Sequence, residues 1–464
     1  MFRREAMSAT RPVEGRAGVC GRSAVTVVSA VVLWIAAGAG ALRGQERESA
    51  SRSHPETCPS ARQLVGDASE PLAAVRYLAD DALEGRLAGS RGARCAAAYI
   101  AGEFRRLGLV PAGEEGGYFQ SVPLASAVNP HGPGGAGRNV IGRLPGSGTA
   151  RKAEVVVVGA HYDHLGRGGF GSVNPKDVGQ IHNGADDNAS GVGTLLAIAE
   201  RLAARPALAR SVLFIAFTGE ELGLLGSAYY VQHPTVPLGA TVAMVNLDMV
   251  GRLDSKPLIV NGAGTTAEWK ALVSSADESV GLELAFGPSG YGPSDQTSFY
   301  SADIPVLHFF TNVHGDYHRP TDDWEKVDVP GMEKVADLVA GVIVRVAERP
   351  ERLALVRGVG QPPSSGSEEG YGAYLGTIPD FAPVENGVRI SGVGPESPAE
   401  RAGLEAGDVI VGLAEYEVGD LYDMTRALRA HKPGDVVQVT VMRDGRRLTF
   451  RAVLGDRATR SSKR

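Results

Sequence analysis

From Asn139 onward, short apolar runs alternate with stretches of helical period, and this alternation constrains the fold more than any other feature of the chain. NVIGRL, EVVVVGAH, SVLFIAF, ATVAMVNLDM, PLIVNG and IPVLHFF have strand length and are largely apolar. Between or after them, GVGTLLAIAERLAAR, GLLGSAYYVQH, EWKALVSSADESV and PGMEKVADLVAGVIVRVAE carry apolar residues at helical spacing. Runs of this kind need cover on both faces. They predict an α/β fold with helices on both sides of a sheet, in which sites gather at the carboxyl ends of strands.

Upstream of this region, PLAAVRYLADDALEG and CAAAYIAGEFRRLGL read as helices, the second ended by Gly108 and Pro111. Downstream, residues 351–369 include GVGQPPSSGSEE, whose Gly, Pro and Ser content predicts a linker. That linker separates a domain over residues 60–350 from a smaller, β-rich one over residues 370–456. A length of 464 residues and an apolar fraction of 43% accommodate both cores.

Residues 1–44 have a different character. Arg3, Arg4, Arg11, Arg16 and Arg22 precede an apolar run from Ala24 to Leu42, the pattern of an export signal. The run is also close to the shortest length that spans a bilayer, so a retained N-terminal membrane anchor is the alternative; its AAGAGA end favours cleavage. Either reading places the remainder outside the cytoplasm, in the periplasm or beyond the cell. Cys58 and Cys95 are the cysteines left after that segment, and a disulfide and two separate thiols are both compatible with the spacing. A net charge of −6, with no basic block beyond the first residues, gives no reason to expect a nucleic-acid partner.

The chemistry-bearing residues stand where the strands end. His161 closes EVVVVGAH, with Asp163 two residues on as a carboxylate that would orient a metal-bound imidazole. GADDNASG puts Asp186, Asp187 and Asn188 at a helix entrance. Capping needs only one of them, which leaves a carboxylate, either Asp186 or Asp187, to bridge a pair of cations. SVLFIAF runs into Glu220 and Glu221, adjacent acids whose repulsion cations would relieve. One can bind metal while the other takes a proton from water. Asp248 lies inside an apolar strand, where an unpaired charge is costly. The last strand holds His308 and leads into a loop with His314 and His318. Nitrogen and oxygen donors without cysteine suit zinc, and manganese or cobalt also fit.

These motifs resemble the co-catalytic zinc exopeptidases of the secreted aminopeptidase family, whose relatives include glutamate carboxypeptidases and glutaminyl cyclases. GAHYDH, GADDNASG, FTGEELGLLGS, NLDMVG and DYHRPTDD stand in that family's order, and the likeness covers most of residues 70 to 350. The resemblance implies a mixed, mostly parallel sheet sandwiched by helices, and two zinc ions. It makes His161 and Asp248 ligands of one zinc, Glu221 and His318 ligands of the other, Asp187 the bridge, Glu220 the general base and Asp163 the partner of His161. It also implies peptide substrates. The extra protease-associated insert of some family members is absent between SVPLA and NVIGRLPG.

Residues 370–456 resemble a bacterial-type PDZ domain, with YGAYLG as its carboxylate-binding loop through Tyr374, Leu375 and Gly376. Such a domain would bind the carboxyl terminus of a peptide or protein by strand addition. Three other readings compete with the aminopeptidase: a carboxypeptidase gripping its substrate through Arg252 or Arg319, a glutaminyl cyclase with one zinc, and a metal-free scaffold acting through the PDZ-like domain.

Overall fold

The computed structural model describes residues 57–456 apart from 67–70, 125–134, 149–150, 170, 255, 361–372, 381–383, 385, 395 and 420. The expected signal or anchor over residues 1–44 and residues 361–369 of the expected linker lie outside the described residues. Among those described, no helix is long and apolar enough to cross a membrane.

The N-terminal part packs three helices, α1 (Ala61–Val65), α2 (Leu72–Leu78) and α3 (Arg91–Arg106). The helix expected over PLAAVRYLADDALEG ends early. Asp80 caps a new turn by accepting the Ala82 N–H at 2.8 Å, and Glu84 and Gly85 take left-handed conformations before Arg86. Gly85 is required there, because a side chain would meet the Gly166 and His182 carbonyls. Cys58 and Cys95 are joined as a disulfide, with Cα atoms 5.4 Å apart, tying the entering chain to α3.

The sheet contains β1 (Val110–Pro111), β2 (Phe119–Leu124), β3 (Gly135–Leu144), β4 (Val155–His161), β5 (Ser211–Phe217), β6 (Thr241–Leu247), β7 (Leu258–Asn261), β8 (Leu284–Phe286) and β9 (Val306–Phe310). Its order is β1-β3-β5-β4-β6-β9-β7-β8, with β2 on β3. The centre, β5-β4-β6-β9, is parallel; β3 joins it antiparallel on one side and β7 on the other. Alternate residues of the central strands enter different layers, as the two-residue period of a strand requires. Val156, Val158, Phe214, Val245 and Phe309 pack under α3, α4 (Gly191–Ala203) and α8 (Val329–Glu348), together with α6 (Trp269–Asp277). Val157, Leu213, Phe217 and Met244 pack instead against Tyr230 of α5 (Leu225–Gln232) and Phe299 of α7 (Gln296–Ser301). The expected mixed sheet between helical layers is therefore what forms.

The C-terminal part has its own core, built around Leu375, Ile390, Leu404, Ile410, Met424 and Val439. It comprises β10 (Ala373–Tyr374), β11 (Thr377–Pro379), β12 (Val388–Val393), α9 (Pro398–Ala402), β13 (Val409–Leu413), β14 (Tyr416–Glu417), α10 (Leu421–Arg429), β15 (Val436–Arg443), β16 (Arg446–Val453) and β17 (Gly455–Asp456). The strands pair antiparallel, and β11 lies at the edge of its sheet, bonded to β12.

Candidate metal centre

Three parallel neighbours, β5, β4 and β6, end side by side, so the residues that follow them share one crevice. His161 is the last residue of β4. After β5, the Thr218 N–H donates to the Asn139 side chain at 3.2 Å, and Gly219 at a φ of 69° turns the backbone into Glu220 and Glu221. After β6, the Asp248 N–H donates to the Phe309 carbonyl at 3.2 Å, holding the acid against the neighbouring strand.

The GADDNASG turn separates its two acids. Asp186 is fully buried and saturated: its carboxylate accepts from Ser190 Oγ at 2.8 Å and Gly251 N–H at 2.7 Å and lies 3.1 Å from His314 Nε2. Asp187 faces the opposite way. Its Oδ1 is 3.4 Å from His161 Nε2 and its Oδ2 is 3.1 Å from His318 Nε2. Asp248 Oδ1 stands 3.3 Å from His161 Nε2, and Glu221 Oε2 stands 3.3 Å from His318 Nε2. His161, Asp248, Asp187, Glu221 and His318 thus converge, while Asp186 and His314 pair with each other outside the cluster.

Both imidazoles are oriented by main-chain carbonyls. His318 Nδ1–H donates to the Gly171 carbonyl at 2.8 Å, and His161 Nδ1–H to the Asp163 carbonyl at 3.2 Å, leaving each Nε2 as the inward atom. The Asp163 carboxylate is 3.9 Å from His161 Nδ1 and accepts instead the Glu220 N–H at 3.2 Å. It joins the two turns more closely than it holds the ring.

The adjacent glutamates differ in their electrostatics. Burial, with Glu221 and Asp248 nearby, holds the Glu220 carboxyl well above the usual range against the pull of His161. Burial also acts to raise Glu221, but His318 and His164 outweigh it and hold that group well below the range. Neighbouring acids pushed in opposite directions suit different tasks. Among the described residues, Asp187, Glu220, Glu221 and Asp248 have ion-pair contacts with histidines and none with Lys or Arg. Buried carboxylates so placed require added positive charge.

Four contributors have no role in the motif reading above. His164 Nδ1 lies 2.7 Å from Glu221 Oε1, and His164, Asp187 and Glu221 present possible ligand atoms within 4.8 Å of one another, as do His161, Glu220 and Asp248. The second histidine of HYDH was its visible signal. Asp322 accepts the N–H groups of Asp186 and Asp187 at 2.9 and 3.1 Å, which sets the turn. Arg86, fully buried, donates to the carbonyls of Leu78, Tyr162, Asn183 and Gly184, and so ties both metal-site turns to the N-terminal helices. Asp295 is fully buried, and burial pushes its carboxyl up to about 6. No sequence periodicity marks these last three, because their partners are distant main-chain atoms or the cluster itself.

Met249, Asn261, Ser294, Phe310, Val313 and Tyr317 line the pocket beside the cluster. His308 also lines it, and burial lowers that imidazole to about 4, so it is neutral near pH 7. Arg252 is engaged with Asp322 at 3.1 Å and Asp316 at 3.4 Å, and neither it nor Arg319 is among the pocket-lining residues.

An α/β domain with acids and histidines gathered at its strand ends is suited to holding metal ions. Residues 139–343 match peptidase family M28 and residues 374–454 match the PDZ domain. The first segment is thus similar to that peptidase family and the second, behind it, to PDZ domains. It is 29% identical to aminopeptidase YwaD of Bacillus subtilis over 231 residues, 47% of each chain. It is 30% identical to a probable leucine aminopeptidase of Trichophyton verrucosum over 206 residues, 42% of this chain and 55% of that one. The chain spans about half the length of these curated relatives. Among solved structures it is similar to a zinc aminopeptidase from Bacillus subtilis, at 21% identity and a TM-score of 0.47, covering 60% of this chain and 95% of that chain.

Proposed function

We propose that this chain is an exported, zinc-dependent aminopeptidase that removes residues from the free amino end of peptides. The observation that carries the reading is the division of the Asp187 carboxylate, one oxygen toward His161 and the other toward His318. With Asp248 on the first side and Glu221 on the second, that arrangement fits two zinc ions sharing a bridging acid. The aminopeptidase names of the relatives support the direction of attack.

Zinc bound there would supply a Lewis acid for the scissile carbonyl and would acidify the attacking water. Glu220, adjacent to the ligand set and held in a raised range, accepts the water proton as the new C–O bond forms, then returns it to the nitrogen as the C–N bond breaks. Asp163 holds the Glu220 main chain. His318 and His161 present Nε2 because their Nδ1–H groups are already committed. Engagement of Arg252 by two aspartates disfavours a carboxypeptidase that grips its substrate through that residue.

Export is supported by the basic and apolar N-terminal run and by the Cys58–Cys95 disulfide, which persists in oxidising compartments. Signal cleavage and retention as an anchor are separated by N-terminal sequencing of the exported protein. The activity is tested by offering one peptide with a free, an acetylated or a carboxyl-amidated terminus, with and without chelator. The free amine should be required and chelator should abolish turnover; undiminished cleavage of the acetylated peptide would sink the aminopeptidase reading.

A further inference from the structure

The two parts of the chain meet at the rim of the metal site. Asn312 Nδ2–H donates to Asp380 Oδ1 at 2.5 Å, and Asn312 lies between Phe310 and Val313, both of which line the pocket. Asp380 is the first residue beyond β11. A second contact pairs Lys176 with Glu396 at 2.7 Å. Lys176 belongs to the segment whose Gly171 carbonyl and Val173 N–H bond to His318. Glu396 belongs to the turn that packs on Gly376, where the Gly394 N–H donates to the Gly376 carbonyl at 2.8 Å. Both loops that hold His318 therefore touch the PDZ part, one at the end of β11 and the other beside the turn that precedes it.

Strand direction decides where a bound chain would go. β11 pairs with β12 and is the edge of its sheet, so an added strand would lie along its other side. Gly376, at a φ of 85°, closes the Tyr374–Leu375–Gly376 turn at the start of β11, where a side chain would collide with Ser397 and Tyr374. A carboxylate seated at that turn belongs to a chain running antiparallel to β11. Its upstream residues leave the strand at Asp380, toward Asn312 and the pocket.

We propose that the edge of β11 and the pocket beside the metal site form one binding surface, on which a peptide is held by its carboxyl end while its amino end is cut. The substrates are then short linear peptides with both termini free. This rests on the aminopeptidase reading and names its substrate class. A second attachment point raises the local concentration of the amino end at the site without altering the chemical step.

The test uses the full-length, zinc-loaded protein. Peptides of about 6 to 12 residues, chosen because an extended chain rises roughly 3.3 Å per residue, are offered as free acids and as carboxyl amides. An aminoacyl 4-nitroanilide, which ends at the scissile bond, reports the metal site alone. At the favoured length, the free acid should show a KM about tenfold below that of the amide, with kcat unchanged. An N-acetylated peptide with a free carboxylate should raise the KM of the long substrate and leave nitroanilide hydrolysis unaffected. Gly376→Ala should remove the acid–amide difference and spare the nitroanilide rate. Equal KM for acid and amide at every length, with the nitroanilide hydrolysed, overturns the proposal and leaves the aminopeptidase standing. Failure to release any N-terminal residue overturns both.

Discussion

The main-chain N–H of Glu220 donates to the carboxylate of Asp163 across 3.2 Å, joining the turn after β4 to the turn after β5. Two strand ends that carry different parts of the chemistry are thereby held in one relative position. Asp163→Asn preserves volume but replaces a charged acceptor with a neutral amide. It should lower kcat/KM by about 10- to 100-fold, the usual effect of losing a group that orients a metal site, while circular dichroism remains native. An unchanged kcat/KM would show that the contact does not orient the base.

Glu220→Gln separates proton transfer from metal binding. The variant should retain zinc and lower kcat by about 10²- to 10⁴-fold. Metal analysis alongside steady-state kinetics checks it; loss of zinc would instead move Glu220 into the ligand set.

His164 lies 2.7 Å from Glu221, and a carboxylate so oriented would bind metal more tightly. His164→Ala should weaken retention of one zinc by about 10- to 100-fold and leave the other in place. Competition with a chelator of known affinity would reveal two unequal sites. Simultaneous loss of both metals would contradict a role confined to the Glu221 side.

Arg86 is a buried cation with burial lowering it to about 10, and it donates to carbonyls from the N-terminal helices and both metal-site turns. Lysine cannot reproduce its planar fork of donors. Arg86→Lys should cost about 3 to 5 kcal/mol of stability, as the unpairing of a buried charged group does. Denaturant unfolding measures it, and a loss below 1 kcal/mol would mean that the network relaxes around lysine.

In the PDZ part, Arg443 Nε and Nη2 donate to the two oxygens of buried Asp408 at 2.6 and 2.7 Å. Burial acts to raise Asp408, but this paired bond and the Glu405 N–H outweigh it and lower the carboxyl below its ordinary value. A depressed folded-state value contributes stability above the unfolded value, about 3.9, and that stability is lost as pH falls through the folded one. Arg443→Met should therefore reduce the melting temperature of this part more at pH 7 than at pH 3. Equal losses at both pH values would indicate lost packing alone.

The strand and helix alternation was legible because central parallel strands are buried on both faces and must be apolar throughout; β4, β5 and β6 form where EVVVVGAH, SVLFIAF and ATVAMVNLDM stand. His161, Glu220, Glu221 and Asp248 were legible for the same reason, as polar residues at the ends of apolar runs. The expected helix over PLAAVRYLADDALEG was cut short because Asp80 and Gly85 impose a cap and a left-handed turn that helical period does not encode.

Chain order alone determined that acids and histidines would arrive at the carboxyl ends of neighbouring strands, since periodicity and burial act locally. Tertiary structure decided which of them meet. Asp186 and Asp187 are adjacent, yet Ser190, Gly251 and His314 fill the first while the second is left facing His161 and His318. His314 and His318 divide in the same way. Saturation of one carboxylate by groups far along the chain is a property of packing, and so are the four carbonyls around Arg86 and the Asn312–Asp380 bond that brings the PDZ part to the rim of the pocket.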